Sequence, residues 1–219
     1  MLDGITIVRP EEIESKSFEM ITEILGDRTF PPEQESIVKR VIHTTADFDF
    51  ADDLYFSDGA VEKAFEAIKS GSHVVTDTQM AAAGIRKASL DKYGGRVISY
   101  MGDETVAAEA KDRQVTRSSV CMERGAADPT NRIFVVGNAP TALVRLVELI
   151  REGSFSPDLV IGVPVGFVNV VESKALLKAC GVPCIITEGR KGGSTVAAAI
   201  VNAILIMLDK NTDLQETER

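Results

Sequence analysis

Apolar residues recur along this chain at two periods. Five short runs are nearly continuous: His73 to Asp77, Arg96 to Tyr100, Ile133 to Val136, Leu159 to Gly162 and Cys184 to Thr187. Runs of this length and character predict strands buried on both faces. Elsewhere the apolar positions fall at helical spacing. They predict helices from Pro10 to about Leu25, Pro32 to Thr45, Asp58 to Ser70, Thr78 to Ile85, Asp103 to Arg113, Ser119 to Arg124, Pro140 to Glu152, Val171 to Cys180 and Ser194 to about Leu208. Pro32 and Pro140 suit first helical turns, and Gly26, Gly71, Gly153 and Gly181 suit helix stops. Ser57 and Ser194 stand where caps are expected. Ile5 to Arg9 reads as a short strand or an extended arm, Asp47 to Ser57 as an extended loop or short strand, and the polar residues from Asp209 as a frayed tail.

From Ile133 to Leu208 the unit strand, Gly-containing loop, helix repeats three times. That alternation predicts an α/β fold with a mostly parallel five-stranded sheet covered on both faces. The three Gly loops then gather at the carboxyl edge of the sheet, where open α/β folds bind ligands. No linker or low-complexity stretch interrupts the pattern, so residues 1–219 form one domain, with 209–219 as its tail.

Composition narrows the function. The chain is 44% hydrophobic and 26% charged, which fits a globular core and not a disordered segment. A net charge of −9 argues against non-specific nucleic-acid binding and against an anionic membrane surface. The longest apolar run, Val196 to Leu208, is broken by Asn202 and reads as a buried helix too short to span a bilayer. Cys121, Cys180 and Cys184 lack metal or disulfide spacing, and Met1 to Gly4 lacks the basic start of a secretory signal. A cytoplasmic protein without a structural metal is expected.

The chain has two histidines. His73 begins a strand and reads as structural. His43 lies on a predicted helix with Arg40, Thr44 and Asp47 at i−3, i+1 and i+4, one shared face if the helix persists to Asp47. A cation, an imidazole, a hydroxyl and a carboxylate together can hold an anion and move a proton. On spacing alone the same face is readable as solvated surface. The loops offer further groups. Gly137-Asn138-Ala139-Pro140-Thr141 sets backbone N–H groups, Asn138 and Thr141 at a helix start. Glu188-Gly189-Arg190-Lys191-Gly192-Gly193-Ser194 sets two cations and a hydroxyl at another, without the spacing of a nucleotide phosphate loop. Phe167 offers a ring at the same edge, and Thr116-Arg117-Ser118 a cation between hydroxyls. Asp77 is readable as a helix cap and Lys174 as a solvated charge. No serine lies in a GxSxG elbow. The composite suits a large polyanion and a single proton transfer.

Six segments, in order, resemble those of the precorrin-8X / cobalt-precorrin-8 methylmutases. They are Arg40 to Asp47, Thr76 to Met80, Gly137 to Leu143, Gly162 to Val168, Glu172 to Lys174 and Gly189 to Ser194, and the likeness extends from about Ile13 to Leu208. The resemblance implies an isomerase of cobalamin biosynthesis that moves a methyl group from C-11 to C-12 of a precorrin-8 macrocycle by a sigmatropic shift. It implies a flavodoxin-like three-layer α/β/α fold and a homodimer with its sites near the subunit interface. It implies a corrinoid as substrate, no cofactor and no metal. His43 falls on the catalytic histidine, and Ser17 and Arg40 on substrate-contacting positions. Thr76, Arg117, Asn138, Thr141, Phe167, Arg190, Lys191, Gly192 and Ser194 complete the expected substrate-binding set. A non-catalytic corrinoid carrier on the same fold is the alternative, and a nucleotide-binding domain a more distant one.

Overall fold

The computed structural model describes residues 8–217. Along them run α1 (Pro10–Leu25), α2 (Pro32–Thr45), α3 (Phe50–Asp53), β1 (Leu54–Phe56), α4 (Ala60–Lys69), β2 (His73–Thr76), α5 (Gln79–Gly84), α6 (Lys87–Asp91) and β3 (Val97–Ile98). After a 3-10 turn at Tyr100–Gly102 come α7 (Glu104–Asp112), α8 (Arg117–Ala127), β4 (Asn131–Val136), α9 (Pro140–Arg151), β5 (Leu159–Gly162), α10 (Val170–Lys178), β6 (Cys184–Thr187) and α11 (Ser194–Thr217).

The sheet has the order β1-β6-β5-β4-β2-β3. Five strands are parallel, and these are the five expected from the apolar runs. The sixth, β1, pairs antiparallel with β6 and closes that edge. Ser57 extends this pairing: its N–H donates to the Cys184 carbonyl at 2.9 Å and its Oγ accepts from the Cys184 N–H at 2.8 Å. Ser57 therefore is not the cap of α4, whose N-cap is Gly59 in the left-handed region. The chain leaves β2 toward β3 on one side and returns through β4 on the other. The crevice of a doubly wound sheet thus lies between the carboxyl ends of β2 and β4.

Alternation along each strand divides the core into two layers. Val74, Ile133, Val135, Ile161 and Ile185 face α1, α2, α4, α5, α6 and α11. Val75, Phe134, Val136, Val160 and Ile186 face α7 to α10. α11 is buried along much of its length against α2 and α5. It runs beyond the expected end at Leu208, so the residues after Asp209 continue the helix to Thr217. The Ser194–Thr212 stretch is long and apolar enough to cross a membrane by length and composition, yet 56% of its apolar window is buried inside the fold. It begins at Gly193, whose carbonyl accepts from the Ala197 N–H at 2.9 Å, so Ser194 is its first residue and not its cap.

Two features of α2 and its neighbours matter for the site. Ile37, Val38, Val41 and Ile42 are its buried stripe, as the spacing predicts. The helix stops at Thr45 because Ala46 turns left-handed at φ 54°. Asp47 therefore leaves the face that carries Arg40, His43 and Thr44, and the four-residue face expected from the spacing is reduced to three. The short helix α6 was not expected from the sequence. Thr116, expected to precede a helix starting at Ser119, is the N-cap of α8, and its side chain accepts from the Ser119 N–H. The expected Ile5 to Arg9 segment lies largely outside the described residues.

Candidate active site

The carboxyl edge is built around a buried carboxylate. Asp77, directly after β2, is fully buried, and its Oδ1 accepts from the Gly137 N–H at 2.8 Å. Its Oδ2 accepts from the N–H groups of Asn138 and Ala139, both at 2.8 Å. Burial pushes this carboxyl up, and the three backbone donors oppose that shift. The amides of Gly137, Asn138 and Ala139 leading into α9, expected to be free for a ligand, are thus taken by the protein's own acid. Asp77 is not the cap of α5; Thr78 is, accepting from the Ala81 N–H at 3.1 Å.

Two other loops are laced together beside it. The Gly193 N–H donates to the Val163 carbonyl at 2.9 Å, and the Gly166 N–H to the Arg190 carbonyl at 3.2 Å. Gly192, with φ 155°, has room for no side chain: a Cβ there would stand 2.2 Å from the Val163 oxygen. Its lack of a side chain permits this close approach of backbone. Arg190 and Phe167 face outward together, with the guanidinium carbon 6.0 Å from the ring centroid and Phe167 84% exposed.

The titratable part of the site lies on the flank of this edge, between α1, α2, α5 and α11. His43 Nδ1 is 2.8 Å from Ser17 Oγ. Phe18 stacks on the imidazole with centroids 5.3 Å apart and an angle of 17°. The Arg40 guanidinium carbon lies 4.8 Å from the same Phe18 ring, and Arg40 pairs with Glu14 at 2.5 Å. Two turns of α1 thus fix the ring plane, one nitrogen and the neighbouring cation. Nε2 is left as the nitrogen facing solvent. A pocket of about 290 Å³ opens there, lined by Glu14, Arg40, His43, Arg86, Thr195 and Asn202 among others. Asn202 shapes its rim, accepting from the Arg86 N–H and donating to the Gly84 carbonyl, both at 2.8 Å.

The expected residues separate into three groups. Arg40 and His43 line the flank pocket, and Ser17 joins them through His43 Nδ1. Arg117, Asn138, Thr141, Phe167 and Arg190 are exposed on the loops of the carboxyl edge, with Thr141 Oγ1 2.8 Å from Thr116 Oγ1. Ser194 joins the two groups: its hydroxyl meets Thr78 Oγ1 at 2.9 Å, and the next residue, Thr195, lines the flank pocket. The remaining residues, Thr76, Lys191 and Gly192, have close partners within the fold. Thr76 is fully buried and donates to the Thr78 carbonyl at 2.9 Å, which leaves no surface of it for a ligand. Lys191 is held by Asp47 at 2.6 Å and Asp49 at 2.5 Å. That pairing holds the Asp47 carboxyl below its ordinary range and pushes the Lys191 ammonium up. Asp47 accordingly serves the loop and not His43. Lys174 is buried, not solvated.

Phe18, Arg86 and Asn202 were missed in the sequence. Phe18 and His43 are 25 positions apart, and no local spacing links α1 to α2. Arg86 follows the Gly84 break, the one signal that it stands at a helix end. Among the described residues no cluster of His, Cys, Asp and Glu is arranged to hold a metal ion.

Comparison with known proteins points in one direction. The family model described as precorrin-8X methylmutase matches residues 12–207. The cobalt-precorrin-8 methylmutase of Priestia megaterium is 48% identical over 202 residues, covering 92% of this chain and 90% of that protein. That of Salmonella typhimurium is 44% identical, covering 92% of this chain and 97% of its own length. The solved structure of precorrin-8X methyl mutase from Thermus thermophilus superposes with a TM-score of 0.82 at 39% identity, covering 91% of this chain and 98% of that one.

The Asp77 arrangement makes a stability prediction. Asp77→Asn keeps the volume but swaps one acceptor oxygen for an NH2 group facing backbone donors. It is expected to lower the unfolding free energy by about 2–4 kcal/mol in denaturant titration, the cost of stranding buried N–H groups. A change within about 0.5 kcal/mol would show that these amides need no anion.

Proposed function

The chain belongs to the precorrin-8X methylmutase family and is an isomerase of cobalamin biosynthesis, and on that premise we propose that His43 moves the proton its methyl migration needs. The reaction carries a methyl group from C-11 to C-12 of a precorrin-8 macrocycle. The bond to C-11 breaks as the bond to C-12 forms, so the atoms balance without a cofactor. What the protein must supply is a position for the ring and a proton transfer that opens the rearranged tautomer.

The observation that carries this reading is the Ser17–His43 hydrogen bond. A hydroxyl both donates and accepts. With Nδ1–H donating to Ser17, an imidazolium offers its Nε2–H to the macrocycle as an acid. Once that proton has gone, the neutral ring keeps Nδ1–H on Ser17 and presents an Nε2 lone pair as a base. Ser17 accepts from Nδ1–H in both states and so supports the histidine on both sides of the proton transfer, while Phe18 holds the ring plane. Arg40 and Arg86 at the same pocket, and Arg117 and Arg190 on the loops, are the groups we assign to the substrate's carboxylates. Asn138 and Thr141 add neutral donors, and Phe167 an aromatic surface for the flat ring.

We take the cobalt-containing macrocycle as the substrate form, supported by the names of the relatives at 48% and 44% identity. We also propose a cytoplasmic homodimer. The pocket at His43, about 290 Å³, is too small to enclose a tetrapyrrole by itself, which supports walls completed by a second copy. On α1, Ile13, Met20 and Ile24 are 55%, 54% and 63% exposed and form an apolar stripe beside that pocket.

Two experiments test these assignments. His43→Ala is expected to lower kcat by about 10²–10⁴ while the protein still binds the macrocycle; an unchanged kcat would remove His43 from the chemistry. The same assay with cobalt-containing and cobalt-free substrate is expected to favour the former. Sedimentation of the purified protein is expected to give a dimer that Met20→Glu converts to a monomer of lower activity. A fully active monomer would refute the shared site.

A further inference from the structure

Lys174 lies in the second turn of α10 and is 2% exposed, among the largest fully buried side chains described. No carboxylate stands within ion-pair distance of it among the described residues. Burying a cation without such a partner is costly, and a Leu or Met of similar size would fill the space without that cost. The ammonium must therefore supply something that packing does not. It has three protons, and all three are used. They go to Thr187 Oγ1 at 3.0 Å, the Gly189 carbonyl at 3.0 Å and the Lys191 carbonyl at 2.9 Å. The Thr187 hydroxyl donates a hydrogen bond to the same Lys191 carbonyl at 2.8 Å.

The two carbonyls that turn inward to Lys174 flank Arg190. Arg190 itself is exposed and lies over Phe167. The cage thus bends the β6–α11 loop so that its neighbours face in and its guanidinium faces out. We infer that Lys174 is a positioning residue of the methylmutase reaction, the buried peg that holds Arg190 toward the substrate's carboxylates. This rests on reading Arg190 as a substrate contact. α2 is held separately by its buried stripe, Ile37, Val38, Val41 and Ile42, so the effect of Lys174 falls on binding and not on the His43 proton transfer.

The same cage is sensitive to pH. Burial lowers the Lys174 pKa to about 8, and Asp53 at the end of α3 pulls the other way. The other charged groups nearby are turned elsewhere: Lys191 to Asp47 and Asp49, and Glu188 to Lys178. Above pH 8 the neutral amine keeps two hydrogens for three acceptors, so the loop loosens as pH rises.

Steady-state kinetics of Lys174→Met, Arg190→Ala and the double variant test this, with folding checked by thermal unfolding. Arg190→Ala is expected to raise KM by about 10-fold or more, the loss of a charge-assisted contact. Lys174→Met is expected to raise KM comparably with kcat within about 3-fold of wild type, and the double variant to be no worse than the larger single one. Wild-type KM should climb above pH 8, while that of Lys174→Met is already high and flat. If Lys174→Met does not fold, Thr187→Val removes two bonds of the same cage and is expected to raise KM in the same direction. If Arg190→Ala raises KM and the cage variants do not, or if the two effects multiply, the inference is wrong and the site reading stands. If Arg190→Ala leaves KM unchanged, the reading of this loop as a substrate contact fails and the inference falls with it.

Discussion

The Asp77 carboxylate sits where the two halves of the sheet diverge, and it binds three consecutive amides at the start of α9. In an open α/β sheet that crevice is the usual place for an anionic ligand. Here it is closed from within, by an acid that ties the loop after β2 to the loop after β4. The arrangement has two consequences. It fixes the carboxyl edge without a ligand, because the helix-start amides already have their acceptor. It also leaves the groups around the crevice as the ones we assign to the ligand, with Asn138, Thr141 and Phe167 exposed on one side and His43 lining a pocket on the other.

Charge is distributed with the same economy. The chain carries −9 overall, yet its substrate is fringed with carboxylates. Several cations near the edge are committed to the fold: Lys191 to Asp47 and Asp49, Lys178 to Glu188, Lys174 to three neutral oxygens. Arg40 is shared between Glu14 and the Phe18 ring. Arg86, Arg117 and Arg190 make no ion pair among the described residues, and these are guanidinium groups, suited to two-point binding of carboxylates. Ser17 and Phe18 contact His43, the histidine to which we assign the proton transfer, and Glu14, Arg40 and Arg86 line the same pocket.

The five parallel strands were legible because burial on both faces demands continuous apolar residues, and Ile133 to Val136 or Leu159 to Gly162 can be little else. The sixth strand was not. Leu54-Tyr55-Phe56 is short, follows an acidic turn and pairs antiparallel at an edge, where no continuous apolar run is required. Helix starts and stops were read well where Pro or Gly marks them. They were misread at Ser57 and Ser194, whose hydroxyls serve neighbouring chain segments instead of their own helices. In the site, Arg40 and His43 were picked out by their helical spacing and Ser17 through the family likeness, but the geometry that brings the three together was invisible. The contacts that join them cross between α1 and α2, and no local periodicity encodes such a pairing. Lys174 and Asp77 were underestimated for a related reason. A lone charge in a helical or strand-end pattern looks solvated until the fold shows it enclosed.

A crystal structure of the protein with its bound rearranged product tests most directly whether His43 is the group that meets the macrocycle. The expected result is the ring over the flank pocket, with His43 Nε2 within hydrogen-bonding reach of its edge and Nδ1 still held by Ser17. A macrocycle seated elsewhere, or a histidine turned away with the Ser17 bond broken, would contradict the account.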